Sequence, residues 1–157
     1  LTPDKVHSAE GRKSELYVKD GLFVGGDKAV DEVLVRDIRR ATNAGYERIV
    51  IDLEANIGGE AAPIPRPPYY QVAVTQSDQR VTVTFWGNPK LGFVSQQVLK
   101  AFHKSAIVRR VELLPRVDAD SWTFSLILKP GASVEVFDLG SPVRVILDVR
   151  AGRQPKA

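Results

Sequence analysis

Gly45-Tyr46-Glu47-Arg48-Ile49-Val50-Ile51-Asp52-Leu53-Glu54-Ala55 is the stretch whose reading decides the fold. Ile49, Ile51 and Leu53 fall on one side of an extended chain, and Arg48, Val50, Asp52 and Glu54 on the other. A period of two is what a strand with one buried face requires. The pattern returns near the C-terminus as Arg144-Val145-Ile146-Leu147-Asp148-Val149-Arg150-Ala151. Both copies run Arg, three aliphatics, Asp, aliphatic, any residue, Ala. Each therefore carries an Arg and an Asp four positions apart on one strand face.

Working outward, Thr42-Asn43-Ala44-Gly45 is turn chemistry that leads straight into the first copy, so a hairpin is the economical way to enter it. Its other arm is ambiguous. Val30, Val33, Leu34 and Ile38 suit one face of a helix, whereas residues 34–39 read equally well as a strand with a bulge. The strand from about Val33 is preferred. Upstream, Asp20-Gly21 between two short apolar runs predicts a tight hairpin over 15–24. Residues 1–13 are polar and aperiodic and read as a flexible lead-in, with 152–157 as a frayed tail.

Downstream, Gly58-Gly59 and the prolines 63, 65, 67 and 68 exclude a helix and predict an extended loop. That loop is either a polyproline ligand segment for a partner or a stiff crossover between sheets, and the crossover is preferred. Residues 70–76 and 80–86 alternate around Ser77-Asp78-Gln79 as a second hairpin, with Val81, Val83 and Phe85 on one face of its return arm and Thr82, Thr84 and Trp86 on the other. One short helix is expected near 95–104, capped by Ser95, with Val94, Val98, Leu99 and Phe102 on its apolar face. Strands follow over 107–114, 122–128, 134–139 and 143–149. The sum is an all-β, mainly antiparallel fold, a β-sandwich or partly open barrel of hairpin-connected strands, forming a single domain over 14–151.

Composition narrows the function classes. A hydrophobic fraction of 43% over 157 residues suffices for one self-supporting core. A net charge of +3 is too small and scattered to argue for nucleic acid, though it is compatible with an anionic envelope polymer or a membrane surface. Lys100, His103, Lys104 and the pair Arg109-Arg110 read as a solvated face rather than a phosphate groove. Without cysteine, and with only His7 and His103, the usual zinc sets cannot be assembled, and neither a metal nor a cofactor is expected. No Gly-x-Ser-x-Gly elbow presents a serine nucleophile. Asp118 and Asp120 flank Ala119 and offer a weak calcium site or a glycosidase-like pair, but a solvated turn is the simpler reading. The chain is therefore read as non-catalytic. No apolar run approaches the ~20 residues that span a bilayer. The start at Leu1-Thr2-Pro3, with no methionine, reads as a processed or trimmed product whose targeting segment has gone.

The binding candidates are Tyr69, Tyr70 and Trp86, flat rings near a loop and a strand end, together with the strand-face arginines Arg48 and Arg144. For the arginines a structural role, pairing across adjacent strands to fix register, is preferred to a ligand-binding one.

The segments Val35-Arg36-Asp37-Ile38-Arg39 … Asn43-Ala44-Gly45-Tyr46-Glu47-Arg48-Ile49-Val50-Ile51-Asp52 and Val134-Glu135-Val136-Phe137-Asp138-Leu139-Gly140-Ser141-Pro142-Val143-Arg144-Val145-Ile146-Leu147-Asp148-Val149 resemble the opening and close of an AMIN or AMIN-like domain. The likeness covers about 33–150, leaving out the N-terminal region and the Pro-rich loop. It implies a sandwich-like, non-catalytic module of the bacterial cell envelope, periplasmic or otherwise extracytoplasmic, that attaches to peptidoglycan and localises a larger protein or assembly. The alternative is a protein–protein interaction domain of an envelope assembly, working through a sheet edge or the Pro-rich loop.

Overall fold

The structure, a computed structural model, describes residues 5–9 and 11–152. It is an all-β, sandwich-like fold of two sheets with one helix. In chain order the strands are β1 (Val6–Ser8), β2 (Gly21–Gly25), β3 (Val33–Asn43), β4 (Tyr46–Ile57), β5 (Glu60–Ala62), β6 (Tyr70–Thr75), β7 (Arg80–Trp86) and β8 (Lys90–Leu91). Helix α1 (Ser95–Phe102) follows, and then β9 (Val108–Leu113), β10 (Ser121–Leu128), β11 (Ser133–Leu139) and β12 (Arg144–Arg150). One sheet has the order β1-β2-β6-β7-β10-β9, and the other β11-β12-β4-β3-β8 with β5 against the end of β4. Pairings are antiparallel except β1 with β2 and β3 with β8.

The two similar strands of the sequence are neighbours. β12 lies antiparallel to β4 with Arg144 opposite Asp52 and Asp148 opposite Arg48. Because each copy carries Arg and Asp four apart, reversing one against the other sets unlike charges opposite at both ends of the overlap. Arg48 takes up the pairing in full: its Nε and Nη2 donate to the two Asp148 oxygens at 2.8 and 2.9 Å. A one-residue slip would part these groups and turn Ile49, Ile51, Val145 and Leu147 away from the core, where all four are fully buried.

Inner faces alternate as the sequence predicts on β4, β6, β7 and β10, so Ile49, Ile51 and Leu53 meet Val72, Val83, Phe85, Phe124 and Leu126 in one continuous core. β3 is a strand with a bulge at Arg36, where the register shifts between Val35 and Asp37. The extra residue spaces the inward side chains Val33, Val35 and Ile38 by two and then three, which is why the stretch imitates a helix. Helix α1 packs Val98 and Phe102 against β3 and β9, closing one side of the sandwich.

Four expectations need correction. Asp20-Gly21 does not join a hairpin. Val18 pairs instead with Val134 on the edge of β11 (2.8 Å in both directions), and Gly21 opens β2 in the other sheet, so this dipeptide is a crossing between layers. Of the lead-in, residues 1–4 and 10 lie outside the described residues, and the part from 5 to 9 is built into the fold: β1 lies along β2, and the buried Ala9 donates to Val24 O at 2.9 Å and accepts from Asp138 N at 3.2 Å, one residue bonded to both sheets. Ser95 makes no capping hydrogen bond, since the N-cap position is Val94. Gly58-Gly59 is the turn of a short β4–β5 hairpin, after which residues 63–69 cross to the other sheet as the stiff connector preferred above. Of the tail, 153–157 lies outside the described residues.

Replacing Arg48 with Ala leaves Asp148, fully buried, with Lys13 as its remaining cation. Removing one partner of a buried pair costs on the order of 3 kcal/mol. Urea denaturation of Arg48→Ala should therefore show a loss of that order. A loss under about 1 kcal/mol would mean that the pair does not hold the β4–β12 register.

Candidate functional site: the Tyr69–Trp86 groove

A strand's side chains alternate, so Tyr69 and Tyr70 cannot face the same way. Tyr70 is fully buried, and its hydroxyl donates to Asp138 Oδ2 at 2.6 Å across the two sheets. It is a core residue, and its candidacy as a binding residue is withdrawn. Tyr69 and Trp86 are both half-buried on the outer face of the first sheet, their ring centroids 5.1 Å apart and tilted by 48°. The backbone fixes them together. Trp86 N–H donates to the Tyr69 carbonyl at 3.0 Å, and Tyr69 N–H to the Asp27 carbonyl at 3.1 Å. Gln71 Nε2 donates to the Tyr69 hydroxyl at 2.7 Å, which orients the phenol ring.

The loop from Gly26 to Asp31 forms the wall beside these rings. Asp27 N–H donates to Pro67 O at 3.0 Å, and Asp27 Oδ1 accepts from Ala29 N at 2.8 Å, a self-closed turn pinned to the Pro-rich connector. Gly26 has φ +80°, and a Cβ there would fall on the Pro68 carbonyl, so only glycine lets the loop come this close. Two hollows that share Lys28 and Tyr69 in their walls result. One, of about 610 Å³, is lined by Lys28, Asp31, Tyr69, Gln71, Trp86 and Asp120 among others; the second, of about 680 Å³, continues past Tyr69 to Arg66 and Pro67. Lys28 Nζ stands 5.0 Å from the Tyr69 ring centroid. Farther along the face, Thr84 and Thr123 share a hydrogen bond at 3.0 Å. The groove thus combines two tilted aromatic faces with an ammonium donor and carboxylate acceptors, a set that can stack on a ring and bind its hydroxyl and amide groups.

Arg48 and Arg144 lie away from this groove, on the outer face of the second sheet. Arg144 donates to Pro142 O at 2.8 Å, while Asp52 opposite it is held by Arg39 through two bonds of 2.6 and 2.9 Å. Arg48 belongs to a cluster that the sequence reading missed. Lys13, from the supposed lead-in, donates to Tyr17 Oη, Glu135 Oε1 and Asp148 Oδ2 at 2.7, 2.9 and 2.9 Å. Tyr46 stacks against both cations, and Phe137 lies under Arg48. Geometry assigns Arg48 to structure, whereas Arg144 bonds to the carbonyl two residues before it.

Asp118 Oδ1 accepts the Asp120 N–H at 2.6 Å, so the acidic turn is internally closed, and only the Asp120 side chain reaches the groove. His7 lies on β1 against Phe23, and His103 ends α1; neither approaches the acidic pair in the groove wall. Among the described residues no three His, Cys, Asp or Glu side chains converge on a metal-sized space, and no helix is long and apolar enough to cross a membrane. Neither a protein-family model nor a curated protein matches the chain at a significant level.

Tyr69 and Tyr70 are separable by experiment. Tyr70→Phe should cost about 1.5–3 kcal/mol, the range for a hydrogen bond to a charged group, whereas Tyr69→Ala should change stability by under about 1 kcal/mol. Thermal or urea unfolding of the two variants checks this, and equal losses would contradict the assignment. The Lys13 cluster gives a second test. Burial by itself would lower the Lys13 pKa, but its bonds to Tyr17, Glu135 and Asp148 outweigh it and hold the ammonium above its ordinary 10.5. Burial pushes the Tyr17 phenol above its ordinary 10.0, with Lys13 opposing. Both groups bind a proton more tightly in the folded state, so their contribution is complete below about pH 10 and is lost as pH rises beyond it. The urea midpoint should fall above about pH 10, and Lys13→Met should show a shallower alkaline decline. Parallel pH profiles would exclude this coupling.

Proposed function

We propose that the chain is a non-catalytic binding module of the bacterial cell envelope, periplasmic or extracytoplasmic, which holds peptidoglycan in the Tyr69–Trp86 groove and so localises a larger protein or assembly. The observation that carries this reading is the aromatic pair itself. Two rings are locked side by side by backbone and side-chain hydrogen bonds, exposed on one flank, with Lys28, Asp31 and Asp120 at the rim. A glycan decorated with amides and carboxylates presents the matching groups: ring faces for the aromatics, hydroxyls for the carboxylates and anions for the ammonium. The resemblance of 33–150 to AMIN-like domains supports the same assignment. Two of the buried carboxylates serve the scaffold: Glu47 accepts from Arg40, Ser105 and Ala106, and Asp148 from Lys13 and Arg48.

The competing use of the Pro-rich segment as a ligand for a partner is disfavoured by its anchoring. Pro68 and Ile64 are buried, and the Pro67 carbonyl is held by Asp27.

Sedimentation with insoluble peptidoglycan sacculi tests the proposal. The wild-type chain should co-sediment, and Tyr69→Ala/Trp86→Ala should weaken retention on the order of tenfold, about 1.4 kcal/mol. Arg144→Ala should leave it unchanged. A wild-type chain that stays in the supernatant, or a double variant retained as well as wild type, would remove this function from the groove.

A further inference from the structure

A second surface, at the other end of β10 from the aromatic groove, is set apart by charge. Residues 79–111 contain Arg80, Lys90, Lys100, Lys104, Arg109 and Arg110 and not one Asp or Glu, although the whole chain carries only +3. The fold gathers part of this excess around a groove of about 480 Å³ between α1 and β9, lined by Leu99, Phe102, His103, Arg109, Arg110 and Lys129. The first acid beyond this stretch is Glu112, and it is already held by Arg80 at 2.6 Å and Arg110 at 3.1 Å.

Two adjacent residues of a regular strand point to opposite faces, so one of Arg109 and Arg110 should have met the core. Neither does. The register between β9 and β10 shifts, Ile127 facing Arg110 and Leu128 facing Val108, which leaves Arg109 as an extra, bulged residue. Val108 and Val111 turn inward three positions apart, and both arginines between them are exposed and line the groove. A bulge re-aims a side chain in this way.

We propose that the α1–β9 groove is a binding site for a phosphate-bearing polyanion, a flexible chain with phosphate groups along its length. Paired guanidinium forks match phosphate oxygens bidentately, and Lys129 extends the positive rim. An acidic peptide would dock on this edge by adding a strand, and the bulge interrupts the ladder that such an addition needs. A lipid surface would need a continuous apolar face on α1, whereas the exposed Leu99, with Val94 at the N-cap, stands among the exposed Gln96, Gln97 and Lys100.

Fluorescence anisotropy with labelled inorganic polyphosphate of defined length tests the site. The wild type should bind with an affinity that falls steeply with salt. Arg109→Gln/Arg110→Gln should bind about tenfold more weakly, while the charge-matched Arg12→Gln/Arg36→Gln, on surfaces elsewhere, should stay within about twofold. Arg109→Lys/Arg110→Lys keeps the charge and loses the fork, and should still bind at least about threefold more weakly. Circular dichroism establishes that each variant is folded. Equal losses in the Arg109/Arg110 and Arg12/Arg36 variants would reduce the effect to net charge. No salt-sensitive binding by the wild type, equal binding of poly-glutamate, or binding to phosphatidylglycerol vesicles but not to polyphosphate would each overturn the proposal.

Discussion

The antiparallel seating of β12 on β4 is the constraint on which the rest depends. It joins residues about a hundred positions apart and fixes the centre of one sheet, and the bidentate Arg48–Asp148 contact selects one register over its neighbours. A carboxylate with no exposed surface would be costly alone. Here it accepts three charge-assisted hydrogen bonds, two from Arg48 and one from Lys13, and so becomes a specific lock rather than a liability. With that register set, Ile49, Ile51, Val145 and Leu147 face the opposite sheet, and the outer strands can be added on either side.

Much of this was legible from the residues. The alternation of Ile49, Ile51 and Leu53, and of Val81, Val83 and Phe85, separates the two faces of each strand, and in each the named face is buried, because burial on one side of a sheet leaves a signature at every second residue. The likeness between 48–55 and 144–151 showed that Arg and Asp recur at a common spacing. That the two copies are adjacent and reversed required the structure.

What escaped the reading was non-local or irregular. Asp20-Gly21 is a strong local turn signal, but Val18 finds its partner at Val134, and tertiary pairing overrides the local preference. Lys13 sits in a polar, aperiodic stretch that looks like linker, and its carboxylate partners lie 122 and 135 residues away. Bulges at Arg36 and Arg109 insert one residue into the period of two, imitating a helix in one case and, in the other, turning both members of an arginine pair already read as solvated toward one groove. At Tyr69-Tyr70 the signal was present, since adjacent strand residues face opposite ways. Only the first could have joined Trp86 on the surface.

The placement of Ala9 has a mechanical consequence. Its amide is bonded to one layer and its carbonyl to the other, with β1 on one flank and the Lys13 contacts on the other. Tension that enters through the N-terminal segment and passes β1 is met at Ala9 by a bond to each layer. A tether attached there would load the sandwich as a clamped seam, which resists force better than a row of bonds opened in turn.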